Sequence, residues 1–540
     1  MTDPGFTISD APEGEEPKRR RRGRPPRPKR GDLLSELLSD AELWPGDDGA
    51  GYASVPWGEW REHFRITSKD FRRWVMLRYH EKHGAALSGS ALAEAVGLAE
   101  AQALAKGDRA AHRRAWRRVA KHGRAIILDM GGADPSRERR AVEITAAGWR
   151  LLDPGAVPVA FLRAPDALPL PEPIRDEAKF GDLARFLNCP EGEILLAWAW
   201  LVTALRPFES GGAYPILALT GQQGSGKSLS SRFLQSLVDP SSLSGVAPPR
   251  DERDIYASAG ARHLLAYDNL SGLRDDLADA LCRIATGGAF MARALFSDFD
   301  QAAITALRPQ LINGIPASIA ARNDLAERCI ALELSRPVHR IAEQELIAQW
   351  EAARPALLGL ACDALAAALR NLDRVTIEGE APRMIDAALW AEGAAEGLGI
   401  EPGAMVAAWR ENRLSADRDA VALDDLARAV VALMAARERE RDPKHPSDED
   451  RAIDDLEKSA EELWDKLSNK FPPVAVDKAL RAIAGPDATR ARSFPASVAA
   501  MSSRLKRLAP ALKAAERIEI DSGRDKAGRW ISLRRLPPAA

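Results

Sequence analysis

Cysteine is scarce in this sequence. Its four cysteines, Cys189, Cys282, Cys329 and Cys362, stand far apart, with no C-x-x-C pair. That spacing argues against a zinc site and a disulfide framework, and it suits a reducing cytoplasm. Long apolar runs are missing too. The most apolar stretch, Ile194–Leu205, is too short to span a bilayer, and the acidic, then basic, N-terminus has no apolar segment of the secretory kind. Neither sign of charge prevails: 76 Lys and Arg face 78 Asp and Glu, so a grip on nucleic acid must come from local patches. No internal repeat is visible. These absences predict a cytoplasmic protein with no membrane partner.

What is present supports several domains. A chain of 540 residues, 46% hydrophobic, can fill two to five cores. Residues 1–31 lack apolar periodicity and read as a disordered tail. Nine of the thirteen residues from Lys18 to Arg30 are basic, and among them stands Arg22-Gly23-Arg24-Pro25. This string looks like an AT-hook core: glycine lets the backbone sink into a narrow A·T minor groove while the arginines follow its negative potential. A generic polycation is the other reading of the same residues.

Residues 32–172 read as a small mixed domain. Helical patches at Ser68–His83 and Ala110–His122 precede short strands at Ala125–Leu128 and Ala141–Ile144, and Asp153–Pro173 reads as a linker. Arg113, Arg114, Arg117 and Arg118 fall on the second helical patch, as a solvated basic face or a DNA contact. Residues 173–372 contain the nucleotide chemistry, and 373–454 read as alanine-rich helices and a charged linker. In residues 455–540, helices around Glu461–Ser468, Val474–Ala484 and Ala496–Ala515 precede two short strands, Arg517–Asp521 and Arg529–Leu533, around a turn with Gly523 and Gly528. Three helices and a β-ribbon follow the order of a winged helix, with Arg504, Lys506, Arg507 and Lys513 as candidate DNA contacts. A helical protein-interaction domain fits the same order.

The sharpest signal is Gly221-Gln222-Gln223-Gly224-Ser225-Gly226-Lys227-Ser228. It follows the apolar run Ile216–Leu219 and precedes the helical run Leu229–Val238. This is the G-x-x-x-x-G-K-[ST] pattern in its strand–loop–helix context. The glycines let backbone N–H groups turn inward around phosphates at a helix N-terminus. Lys227 then reaches the β- and γ-phosphates of ATP, and Ser228 ligates magnesium. The next candidate strand, His263–Asn269, ends in Asp268, where a Walker B carboxylate reaches the metal through water. Asn269 follows it, in the place where most such ATPases have a glutamate that activates water.

The order of these pieces resembles the superfamily III helicases, especially the AAA+ helicase half of primase–helicase proteins of phages and mobile elements. Thr286–Phe296, with its glycine pair and Arg293, resembles their segment between Walker B and sensor 1, which lies near DNA. Arg308–Pro316 resembles their sensor-1 strand, with Asn313 as the γ-phosphate sensor or an ordinary turn residue. Arg322–Leu334 resembles the arginine-finger segment, with Arg328 presented to the neighbouring subunit's ATP or held by Glu327 or Asp324. The likeness covers about 215–335 and not the first 170 residues.

With the residue patterns above, it implies an α/β fold: a P-loop, AAA+-like parallel sheet core, a small mixed N-terminal domain, and a C-terminal helical region ending in a winged-helix-like domain. It also implies a homo-oligomeric, hexamer-like ring on DNA that uses ATP and magnesium as a helicase. A loader or remodeller on DNA and an ATP-gated DNA-binding regulator are the rival functions.

Overall fold

The computed structural model describes residues 36–105, 112–134, 139–208, 212–270, 273–293, 301–314, 323–337, 339–439, 447–461, 469–491 and 493–537. The expected tail, with Arg22, Gly23, Arg24 and Pro25, lies outside them. The chain divides into two compact units. One reaches to Pro56 and includes His63–Arg113; the other holds Trp57–Glu62 and everything described from Arg114 on. The division thus falls near residue 113 and not near the expected 172.

In the first unit β1 (Glu42–Pro45) pairs antiparallel with β2 (Gly51–Trp57), and β3 (Trp60–Arg65) completes the sheet. Helices Lys69–His83 and Gly89–Leu104 follow. Ser68 and Ser88 cap them, each hydroxyl accepting a backbone N–H three residues on, which satisfies one of the free donors of the first turn.

The second unit begins with strands where a helix was expected. In place of Ala110–His122 stand β4 (Ala115–Trp116) and β5 (Val119–His122). Alanine and arginine favour helix locally, but burial of Trp116, Val119 and Ala120 overrides that weak preference. The arginines therefore form no exposed helical face. Arg118 is only 4% exposed. Its guanidinium donates to Asp239 at 2.9 Å and to the carbonyls of Asp129, Gly131 and Leu168. Arg114 stacks over the Phe208 ring at 4.2 Å, and Arg117 donates to the Gly260 carbonyl. β5 continues into an antiparallel sheet, order β5-β6-β7-β8, with β6 (Ala125–Asp129), β7 (Ala141–Thr145) and β8 (Gly148–Leu152).

The expected linker Asp153–Pro173 is packed. It contains β9 (Ala160–Phe161), paired parallel with β4, and the buried side chains of Phe161 and Arg163. Arg163 bonds Asp129 at 2.8 Å and Glu62 at 3.0 Å, and Arg139 bonds Glu62 at 2.9 Å. Glycine and proline crowd this stretch because it turns often, and its buried charges are mutually compensated.

The centre is a parallel sheet of β10 (Ile216–Gly221), β11 (Leu265–Leu270), β14 (Gln310–Gly314) and β15 (Cys329–Leu334), ordered β11-β14-β10-β15. Ile216–Leu219 is fully buried, which explains its unbroken apolar run: a parallel strand covered on both faces needs no polar alternation. Between β11 and β14 the chain forms an antiparallel hairpin, β12 (Ala289–Arg293) with β13 (Gln301–Thr305). β15 is an edge strand, and its outer N–H groups are covered. Ala331 N–H donates to Asn412 Oδ1 at 3.0 Å, Glu333 N–H to Glu193 at 2.9 Å, and Ser335 N–H to the Asn188 carbonyl at 2.6 Å.

The apolar stretch Ile194–Ala204 is a helix buried in this core. Among the described residues one helix, Glu343–Asn371, is long and apolar enough to cross a membrane, and 61% of its apolar window is buried inside the protein. Helices Ile385–Ala394, Ala404–Leu423 and Asp425–Glu438 follow, as the alanine-rich sequence predicts.

The C-terminal part comprises helix Asp448–Glu461, β16 (Lys470–Phe471), helix Pro473–Arg490 broken at Gly485, helix Val498–Glu516, and a ribbon of β17 (Ile518–Asp525) and β18 (Gly528–Arg535). The sheet order is β16-β18-β17. Gly523, expected in the turn, lies inside β17. The helix expected at Glu461–Ser468 falls outside the described residues beyond Glu461, which ends the helix Asp448–Glu461.

Candidate nucleotide-binding site

The loop Gly221–Ser228 joins the C-terminal end of β10 to the helix Lys227–Val238. Two glycines are dictated by geometry. Gly221 has φ 131°, and a Cβ there would lie 2.3 Å from the Leu334 carbonyl oxygen. Gly226 caps the helix at φ 86°, with Asn188 Nδ2 only 3.1 Å from where a Cβ would stand. Asn188 also donates to the Ser225 carbonyl at 3.3 Å, and Arg336 Nε to the Gln223 carbonyl at 3.2 Å. The loop is thus held from both sides by residues that the motif does not contain. Lys227 Nζ donates to the carbonyls of Gly221 and Gln222 at 2.8 and 2.9 Å, leaving a third N–H on the ammonium.

Asp268 and Asn313 reach this loop from neighbouring strands. Ser228 Oγ donates to Asp268 Oδ1 at 3.2 Å. The β11–β14 register slips between Tyr267, opposite Ile312, and Leu270, opposite Gly314. Asp268 and Asn269 therefore both face Asn313, in a bulge that turns the strand end toward the loop. Asn269 takes φ 60°, a left-handed conformation that asparagine tolerates better than most residues. Its N–H donates to Asn313 Oδ1 at 2.6 Å, which orients the carboxamide. Asn313 is 2% exposed, and its Nδ2 has no partner among the described residues; neither has Ser225 Oγ, also buried.

Buried polar atoms without partners are costly and are normally satisfied. Here they stand beside a glycine-rich loop at a helix N-terminus, a spare ammonium donor and a hydroxyl–carboxylate pair. That donor set fits a polyphosphate with one divalent cation. Among the described residues no three His, Cys, Asp or Glu side chains cluster to hold a metal. Magnesium held by one hydroxyl, one carboxylate and the phosphates themselves needs no such cluster.

Arg328 occupies the opposite end of the sheet. It precedes β15, whose Cys329 pairs with Ile216 and Leu334 with Gly221, so it lies about 20 Å along the strands from the loop. Its Nη1 donates to the Asp324 carbonyl at 2.5 Å, and its Nε has no partner among the described residues. The Glu327 carboxylate pairs with Arg383. Arg293 ends β12, paired with Gln301. Of the C-terminal candidates, Arg504 is engaged: it bonds the Asp424 carboxylate through Nε at 3.0 Å and Nη2 at 2.5 Å. Arg507 is exposed.

Two family models match this chain. Residues 181–400 match the Actinomycete integrative conjugative element replication protein, and residues 426–540 match the AICE RepA C-terminal domain. Similar solved structures include SCCmec type IV Cch, described as an active helicase, at 13% identity over 91% of this chain and 92% of that one, TM-score 0.43. The apo NrS-1 C-terminal region is another, at 10% identity over 93% and 98%, TM-score 0.37. No curated protein matches.

Sequence reasoning missed Asn188, Arg336 and Glu193, which belong to no motif. Burial pushes the Glu193 carboxyl up to about 7, although it accepts the Glu333 N–H. The folded protein therefore binds this proton more tightly than the unfolded chain, whose glutamates titrate near 4.5. Its contribution is fully present below about pH 4.5 and is lost as pH rises to about 7. Glu193→Gln, which retains an acceptor oxygen, should flatten the fall in thermal midpoint between pH 4.5 and 8. Parallel curves for the two proteins would remove this role.

Proposed function

We propose that the protein is an ATP-hydrolysing DNA motor, a superfamily III-like helicase that serves replication of an integrative element. The observation that carries this is the convergence of Lys227, Ser228, Asp268 and Asn313 at one edge of a parallel sheet. The strand order supports an AAA+-like core: the Asn313 strand lies between the Asp268 strand and the P-loop strand, and the Arg328 strand flanks the latter. The matched family descriptions, both of a conjugative-element replication protein, support the biological setting.

In this reading 173–372 is the ATPase domain, 373–454 a helical region and linker, and 455–540 a winged-helix-like domain. Residues 1–31 tether DNA through Arg22–Pro25, and the compact unit that ends at Arg113 is the small N-terminal part. The backbone of Gly221–Gly226 and the ammonium of Lys227 cradle the phosphates of ATP, and Ser228 and Asp268 hold magnesium, which neutralises charge developing on them. Asn313, steered by the Asn269 N–H, senses the γ-phosphate. Arg328, too far from its own loop, completes the neighbour's site in a ring. Arg293, in the hairpin between β11 and β14, transmits the change to DNA.

Asn269 favours a second reading. It removes the water-activating carboxylate, and its left-handed backbone disfavours a glutamate. A slow ATP-dependent loader or clamp fits that feature, as does an ATP-gated DNA-binding regulator. A forked duplex incubated with ATP and with a non-hydrolysable analogue separates these. The helicase opens the fork with ATP alone. DNA binding and ATP consumption with no strand separation would leave the loader, and a fixed operator bound without turnover would leave the regulator.

A further inference from the structure

Residues 240–250, between the helices Lys227–Val238 and Glu252–Ala261, belong to no nucleotide motif, yet they cross the end of β11. The Val246 carbonyl accepts the Asp268 N–H at 2.8 Å. Gly245, one residue earlier, has φ 65°, and a Cβ there would stand 3.1 Å from Asp268 Oδ2. The other carboxylate oxygen, Oδ1, accepts the Ser228 hydroxyl. One oxygen of Asp268 thus faces the serine and the other faces a residue without a side chain.

A side chain at 245 would have to displace something, and the loop backbone is the part least able to move. Before Gly245 it is pinned to the stretch Asp166–Leu168. Leu168 N–H donates to the Pro240 carbonyl at 2.8 Å, Ser242 N–H to the Asp166 carbonyl at 2.9 Å, and the Ser241 hydroxyl to the Asp166 carboxylate. After Gly245 it is pinned by the Val246–Asp268 bond and by Asp251, which caps the next helix by accepting the Asp254 N–H at 2.9 Å. The Asp268 side chain can change rotamer, so the carboxylate is what gives way. Magnesium tolerates little of that, because it keeps several waters and demands near-octahedral placement of its ligands.

We propose that Gly245 is a positioning residue of the metal site. Its missing side chain keeps Asp268 Oδ2 open to magnesium and its waters, while Val246 fixes the strand end that carries the carboxylate. The inference rests on the ATP and magnesium reading above and gives a task in it to a loop that no motif marks. Through Pro240–Ser242, that task also involves the packed stretch around Asp166.

The test is binding of a fluorescent, non-hydrolysable ATP analogue by the full chain, titrated with magnesium and repeated in EDTA. The proteins compared are the wild type, Gly245→Ala and Gly245→Asn. Asparagine accepts φ 65° better than alanine does, so it presents the same Cβ with less backbone strain. Both variants should need about ten- to a hundred-fold more magnesium for half-maximal binding, the usual cost of disturbing the surroundings of a metal ligand. Their binding in EDTA should match the wild type's, because the glycine-rich loop and Lys227 are untouched. Equal magnesium requirements in variants and wild type would overturn the proposal. Binding weakened by the same factor with magnesium and with EDTA would overturn it too, as a general disturbance of the site. A rise for alanine but not for asparagine would assign the effect to backbone strain and have the same consequence. Failure of the ATP and magnesium reading itself shows in the wild type alone, as no binding or as equal binding with magnesium and with EDTA.

Discussion

Lys227→Ala should abolish the proposed ATP hydrolysis and leave the protein folded. The ammonium makes two hydrogen bonds, both to carbonyls of its own loop, and its side chain is only half-buried. Removing it creates no core cavity, and alanine suits the first turn of a helix. The cost to stability should stay within about 1 kcal/mol. The cost to turnover is of another order, because phosphoryl transfer depends on positioning and on charge that meets the phosphates. The measurement is phosphate release by a variant that matches the wild type in circular dichroism and elution volume. Normal turnover in such a variant would remove the nucleotide site and everything built on it.

Arg328→Ala should bind ATP normally and hydrolyse it about 10³–10⁵-fold more slowly. The wild-type residue has little to do within its own chain. Among the described residues its side chain makes one hydrogen bond, to a backbone carbonyl, its Nε has no partner, and Glu327, the adjacent acid, pairs with Arg383. The proposed role lies outside its own chain, since the glycine-rich loop Gly221–Ser228 is about 20 Å away along the strands. Mixing Arg328→Ala with Lys227→Ala subunits should recover part of the activity, since each supplies what the other lacks. A monomer under ATP with no recovery on mixing would exclude a shared site.

Both variants lie in segments that the sequence displays openly, and for the same reason. A phosphate loop is local: strand, glycine-rich turn and helix are contiguous from Ile216 to Val238, so their pattern survives without tertiary information. The apolar run of β10 is equally legible, because a strand buried on both faces needs an unbroken apolar sequence. The region from Ala110 to His122 misled for a physical reason. Alanine-rich helix preference is worth tenths of a kcal/mol per residue, less than burying Trp116 and Val119 in a sheet.

By itself, then, the sequence determined the glycine-rich loop between a strand and a helix, the strand that carries Asp268, and the order of helices before a terminal ribbon. Tertiary structure alone decided the rest. The bulge that turns Asp268 toward Ser228 and Asn269 toward Asn313 exists only where β11 meets β14, more than forty residues apart. Asn188 and Arg336 hold the phosphate loop from positions that carry no motif. Arg118, Asp239, Arg163 and Glu62 become buried partners only when distant strands and a helix end are packed together. Backbone turns are written in neighbouring residues, whereas charge compensation and strand register depend on what the folded chain brings close.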